Sequence, residues 1–340
     1  MEPLSPARIM EVGMAFWPSK VLLSATELGL FTALGAGAMT GRELQNSLGL
    51  HPRANPDFFD TLVALRFLER DGNGPEARYR CTEETAAFLD RKSPQFIGGF
   101  LEMASARLYR FWSDLPEALR TGSPQNEIKH SGNSVFAELY SKPERLEQFM
   151  DAMAGISAGN FQALAEKFDF SRYRTLCDVG GATGQLSMFV ARKHPQLQCT
   201  SADLPGATAI AARRIAAAGL SDRVSAVPLD FFAEPLPKAD VITMGMILHD
   251  WNLEKKMHLI RAAYAALPPG GAFIVVENLI DDARRENAFG LMMSLNMLIE
   301  FGDAFDFTAA DFSGWCREAG FSRTEVIPLG GPASAGVAYK

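Results

Sequence analysis

Apolar positions along the first hundred residues recur at helical spacing. In PSKVLLSATELGLFTAL, Val21, Leu22, Ala25, Leu28 and Leu34 fall on one face, which predicts a buried amphipathic helix. Thr40 precedes Glu43 by three residues in TGRELQNSLG, a capping-box spacing for a short helix that Gly49 ends. After Pro56, FFDTLVALRFLER reads as a third helix, with Arg66 and Arg70 as solvated positions on it, and DGNGPEARYRC reads as a small hairpin. The order helix, helix, helix, hairpin is that of a winged-helix-like domain over residues 1–100.

From about 101 to 165 the pattern stays helical and is rich in large soft side chains: Phe100, Met103, Tyr109, Phe111, Trp112, Phe149, Met150, Met153 and Phe161. Most serve as core, but aromatic and methionine side chains also line pockets for flat ligands. This segment is read as a helical connector that contributes to a substrate pocket. Beyond residue 166 the rhythm changes to short apolar runs, TLCDV, QLQCTSAD, VSAVPLD, ADVITMGMIL and AFIVVENLI, separated by helical stretches. That alternation predicts an α/β, doubly wound parallel sheet. RTEVIPLG and SAGVAYK have no helix between them and close the sheet as an antiparallel hairpin.

A chain of 340 residues fits two domains at roughly 150 residues each. Its net charge of −7, and the ten basic against twelve acidic side chains of residues 1–100, disfavour a nucleic-acid surface. The winged-helix pattern is therefore read as packing and dimerisation rather than DNA binding. Four dispersed cysteines without a CxxC pair fit reduced intracellular thiols, and the N-terminus lacks the basic and apolar stretches of a signal peptide. A cytoplasmic protein without membrane contact is the expectation.

The chemistry gathers at the strand ends. Asp178-Val179-Gly180-Gly181-Ala182-Thr183-Gly184 joins the first strand to a helix, and glycines there let a ligand approach the backbone. Asp203 ends the second strand about twenty residues later, where a carboxylate can accept from both hydroxyls of a ribose. Ala182 breaks the dinucleotide fingerprint, and Asp178 would repel a pyrophosphate, so the nucleoside ligand should be cationic.

DVGGATG, SADLPGA, the block LDFFAEPLPKADVITMGMILHDW and VVENLI, in that order, resemble the class I S-adenosylmethionine-dependent small-molecule O-methyltransferases, a group that includes plant phenolic and bacterial polyketide and phenazine enzymes. The resemblance implies a homodimer, S-adenosylmethionine as cofactor and a flat aromatic or polycyclic acceptor. It places the loop of Gly180, Gly181 and Gly184 at the methionine part, Asp203 on the ribose, and Asp230 and Phe231 at the adenine, with Asp178, Leu204 and Met244 as further cofactor contacts. It makes His249 of the His-Asp-Trp triplet the general base, flanked by Glu277 and by a second acid. Alignment on Thr308 puts Asp306 there, with Asp303 and Glu300 as alternatives, and Gly245 stands where plant relatives carry a lysine.

The other histidines, His51, His130, His194 and His258, lack a motif and are read as structural. No further His, Cys or carboxylate stands at ligand spacing around His249, so no metal is expected. On ENAFGLMMSLNMLIEF, Met293 and Met297 join Trp112, Phe149 and Met153 as expected acceptor contacts, and Asn296 is a candidate to bond an acceptor hydroxyl. Three alternatives stay open: an N- or C-methyl acceptor, a methyltransferase fold repurposed for other catalysis, and a winged-helix regulator.

Overall fold

A computed structural model describes residues 4–129 and 143–340; His130 lies outside the described residues. The chain divides into two compact units, Met1–Arg110 and Phe111–Lys340, so the segment from Phe111 to 165 belongs to the second unit.

In the first unit, helices Phe16–Glu27, Leu30–Leu34, Gly41–Ser47 and Asp57–Ala64 surround a core of Leu30, Phe31, Leu44, Phe59, Leu62 and Tyr79. Strands β1 (Met39–Thr40), β2 (Leu68–Asp71) and β3 (Arg78–Cys81) form a small antiparallel sheet in the order β1-β3-β2. The expected Thr40–Glu43 capping box closes the helix start reciprocally. Two expectations are corrected. The first long helix breaks at Gly29, whose φ of +73° ends one helix and begins another. The third helix stops at Ala64: Arg66 takes a φ of +65°, and Leu68–Asp71 pairs with Arg78–Cys81 instead of continuing the helix. Charge across the strands stabilises this choice, because Arg80 bonds Glu69 and Asp71, and Arg70 reaches back to Asp60 at 2.7 Å. Arg66 and Arg70 are therefore a turn and a strand residue.

The second unit holds a seven-stranded sheet, β4 (Thr175–Val179), β5 (Gln198–Asp203), β6 (Val224–Pro228), β7 (Val241–Gly245), β8 (Ala272–Glu277), β9 (Arg323–Gly330) and β10 (Ala333–Tyr339). The order is β6-β5-β4-β7-β8-β10-β9, parallel from β6 to β8, with β10 inserted antiparallel beside β8. Strands β7 and β8 are wholly or nearly wholly buried, as a sheet covered on both faces requires. Strand order reverses between β4 and β7, so ligands are expected beyond their carboxyl ends. Among the described residues, no helix is long and apolar enough to cross a membrane.

Candidate active site

Val179, Asp203, Gly245 and Glu277 end four adjacent strands, and the loops after them carry most of the motif residues. At Gly180, φ is +71°, and an added Cβ would stand 2.3 Å from Ile247 Cδ1. At Gly181 an added Cβ would meet Ser201 Oγ at 2.3 Å and Asp178 Oδ2 at 3.0 Å. Both positions thus keep a backbone surface that side chains would fill. Gly184, also at positive φ, begins the helix Gln185–Lys193, whose first N–H groups suit an anionic carboxylate.

Asp203 fixes this loop. Its Oδ2 accepts from Ala182 N at 2.9 Å and its Oδ1 from Leu204 N at 2.7 Å. A carboxylate has about four acceptor positions, which suits a residue that both holds a loop and receives a diol. Asp178 is buried, accepts from Thr243 Oγ1 at 2.7 Å, and is pushed up to about 7 by burial, with the charge of Asp203 adding to the effect. A cation nearby would relieve it. Phe231 is half-buried, its ring 3.9 Å from where a Gly180 Cβ would stand, and Asp230 is exposed, its Oδ1 accepting from Phe232 N. The Met244 side chain is fully buried in the core. Gly245 has a reason the sequence did not reveal. The Phe161 ring lies 2.8 Å from its would-be Cβ, so any side chain at 245, a lysine included, would collide with it.

His249 sits in a short turn, Leu248–Asp250, just after β7. The approach is strained: Met246 adopts a φ of +55° and donates its N–H to Val276 O. Leu248 N donates to Glu277 Oε1 at 2.9 Å, so Glu277 holds the histidine's own backbone. The imidazole is 4% exposed and lies between carboxylates on both edges. Nδ1 is 3.4 Å from Asp306 Oδ1 and 4.0 Å from Glu277 Oε2, and Nε2 is 3.3 Å from Asp250 Oδ1. His249 Nδ1, Glu277 Oε2 and both Asp306 oxygens make no hydrogen bond of good geometry among the described residues. Burial alone would lower the imidazole's affinity for a proton, but Glu277, Asp250 and Asp306 together outweigh it and raise it to about 10. The same burial lifts Glu277 to about 7 and Asp250 to about 6, so these groups share protons as a unit.

Asp306 reaches the ring because Ile280 N bonds Phe307 O at 3.0 Å, joining the strand that ends at Glu277 to the segment that carries Asp306. The alternatives lie elsewhere: Asp303 accepts from Asn252, and Glu300 from Asn126. Asp250 and the buried Lys256 are neighbours that sequence reasoning missed, since proximity in the triplet did not indicate that Asp250 faces Nε2. His249, Glu277 and Asp306 place ligand atoms within 4.8 Å of one another, a set that spacing along the chain conceals because it comes from three separate segments.

On the acceptor side, helix Ala288–Phe301 carries half-buried Met293 and Asn296 and buried Met297. Asn296 is partnered by protein: its Oδ1 accepts from Trp112 Nε1 at 2.9 Å. Phe149 and Met153 are half-buried on the helix Pro143–Lys167, where Met150 packs with Ala207, Ile210 and Ala182. Of the remaining histidines, His51 caps a short turn through Arg53 N, His194 Nε2 lies 2.7 Å from Ala165 O, and His258 packs near Phe232.

The model of the O-methyltransferase domain family matches residues 112–322, and that of the O-methyltransferase dimerisation domain matches residues 10–91. The chain is 37% identical to the tetracenomycin polyketide synthesis 8-O-methyl transferase of Streptomyces glaucescens, over 98% of this chain and 97% of that one. It is 33% identical to the 3-hydroxy-5-methyl-1-naphthoate 3-O-methyltransferase of Streptomyces sahachiroi, over 98% and 94%. Among solved structures it resembles human N-acetylserotonin methyltransferase in complex with S-adenosylmethionine, with a TM-score of 0.91, 27% identity and coverage of 100% and 99%.

Proposed function

We propose, from the premise that this chain belongs to the S-adenosylmethionine-dependent O-methyltransferases, that it methylates a phenolic hydroxyl of a flat, polyketide-type aromatic molecule, with His249 as general base. The observation that carries this reading is the buried imidazole, placed after β7 at the strand-order reversal and held between Asp250, Glu277 and Asp306. Relatives named for polyketide and naphthoate hydroxyls support the acceptor class. Half-buried Trp112, Met293, Phe149 and Met153 supply the apolar and aromatic area such a ring system needs.

When bound, the cofactor supplies a methyl group on a positively charged sulfur. The protein's share is to grip it through the Gly180–Gly184 loop and Asp203, and to remove the acceptor's proton. A phenol holds its proton at a pKa near 10 and a free imidazole near 6.5, so the unaided transfer is uphill by about 5 kcal/mol. The carboxylates around His249, by raising its proton affinity to about 10, bring the transfer near balance. Nε2, on the edge that Asp250 also faces, would take the proton from the acceptor hydroxyl, while Asp306 and Glu277 face the other edge of the ring and stabilise the resulting cation. The same charge keeps the resting imidazole protonated at neutral pH, so kcat should rise as pH rises toward the alkaline range.

The first unit is proposed to pair two copies of the chain. Its initial helices, Ala7–Gly13 and Phe16–Glu27, leave Ile9, Val12 and Trp17 at least 60% exposed, a stripe that water disfavours. The experiment for the whole reading incubates the purified protein with methyl-labelled S-adenosylmethionine and a panel of naphthols and hydroxynaphthoates. Label in an O-methyl product supports it. Label only on nitrogen or carbon acceptors contradicts it.

A further inference from the structure

Ala182 has a backbone shape that the reaction described above leaves unexplained. Glycine fills positions 180, 181 and 184 of the cofactor loop, yet Ala182 carries a side chain at a φ of +46°, which L residues rarely adopt. Its methyl group packs against a small buried cluster of Leu146, Met150, Ala207 and Ile210. Two helices meet there: Pro143–Lys167 supplies Leu146 and Met150, and Pro205–Ala217, which begins just after Leu204, supplies Ala207 and Ile210. Arg213 bonds Glu147 at 2.9 Å and Arg214 bonds Asp151, so charge pairs the same two helices, although these solvated pairs contribute little. The far end of Pro143–Lys167 is held differently. Leu164 and Ala165 lie in the core beside the sheet, with Leu176 and Val190, and Lys167 Nζ donates to Leu329 O at 3.0 Å. The first turns of the helix depend instead on the small cluster, and so on the Ala182 methyl. Phe149 and Met153, half-buried and one turn apart, stand on those turns.

We propose that Ala182 and Met150 are positioning residues for the acceptor: the cofactor loop, once filled, holds Met150 through the Ala182 methyl and so fixes the helix turns that carry Phe149 and Met153. The other end of the link is Asp203, whose Oδ2 accepts from Ala182 N at 2.9 Å and which the ribose diol would also engage. A ligand on that carboxylate and on the loop backbone restricts Ala182, and what restricts Ala182 restricts the methionine packed on it. Turns ordered when the cofactor binds leave less to order when the acceptor arrives, so each ligand should tighten the other's binding by the same factor. The acceptor consequence rests on the aromatic acceptor proposed above; the response of the helix to the cofactor does not.

The test follows backbone amide exchange of residues 146–153 in the full chain, with and without saturating S-adenosylhomocysteine. In the parent, exchange there should slow at least about fivefold when S-adenosylhomocysteine binds, and by more than at 160–167, the end held by the core. Ala182→Gly removes the methyl group at a φ that glycine adopts without strain, so folding is not at risk, and the slowing at 146–153 should drop below about twofold while the loop 180–184 still responds. Met150→Ala should behave likewise, and Met150→Leu, which keeps most of the volume, should retain the parent's response. With 3-hydroxy-5-methyl-1-naphthoate as acceptor probe, S-adenosylhomocysteine should tighten acceptor binding about fivefold in the parent and less than about twofold in Ala182→Gly, whose acceptor KM should rise by a larger factor than kcat falls. No slowing at 146–153 in the parent, or equal slowing in the parent and Ala182→Gly, would overturn the proposal, because loss of packing alone acts with and without the ligand alike. A naphthoate that the parent neither binds nor methylates would refute that acceptor, while the exchange result would still decide the link.

Discussion

At the scale of single residues, two buried acid–base groups hold their protons for different reasons, His249 through neighbouring charge and Asp178 through burial. His249 owes its retained proton to Asp250, Glu277 and Asp306 overcoming the cost of burial. Its replacement by alanine should lower kcat by about 10²- to 10⁴-fold while calorimetric binding of S-adenosylhomocysteine stays near that of the parent, which stopped-flow and calorimetry together can check. A proton on the imidazole also competes with any metal at the His249–Glu277–Asp306 set, so dialysis against EDTA should leave the rate unchanged; a loss restored by zinc would mean that the set is a metal site. Asp178 shows the same sign of linkage at lower pH. Its folded pKa of about 7 lies above the ordinary 3.8, so the native state binds the extra proton and stability falls as pH rises from about 4 to 7. Asp178→Asn should therefore melt higher than the parent at pH 8, by up to about 4 kcal/mol in stability, with the gain shrinking toward pH 5. It should also bind S-adenosylmethionine less well, since a carboxylate facing a cation has been lost. Equal melting temperatures at both pH values would refute the linkage.

At the scale of elements, the cofactor loop depends on backbone shape. Gly180→Ala places a methyl group against Ile247 and a side chain at a φ of +71°. Backbone strain of about 1 kcal/mol, added to the lost approach surface, should weaken S-adenosylmethionine binding by about tenfold; affinity within twofold of the parent would count against the loop assignment. The strands that build this edge were legible because TLCDV, VITMG and AFIVVE are apolar on both faces, the pattern of a covered parallel sheet. The small sheet of the first unit was less legible. LERD carries a single buried residue, and its pairing depends on charges contributed by Arg80 and Asp60, which helical spacing cannot reveal. The same distinction holds in the site. His249, Glu277, Asp306 and Asp203 lie at strand ends or beside capping signals and could be read along the chain. Asp250 facing Nε2, Lys256 beneath the triplet and Phe161 against Gly245 are neighbours made by tertiary packing.

At the scale of the whole molecule, the first unit carries an exposed apolar stripe and the second unit carries all the proposed chemistry. Light scattering should give a mass twice that of the chain, and Ile9→Glu with Trp17→Glu should shift it toward the single-chain value; a parent of single-chain mass would remove the pairing role. The central claim is methyl transfer to an aromatic hydroxyl with His249 as base. Its most direct test is mass spectrometry of acceptors incubated with methyl-labelled S-adenosylmethionine and either the parent or His249→Ala. A labelled O-methyl product should form with the parent and fall by at least about a hundredfold with the variant. Equal product from both proteins would contradict it.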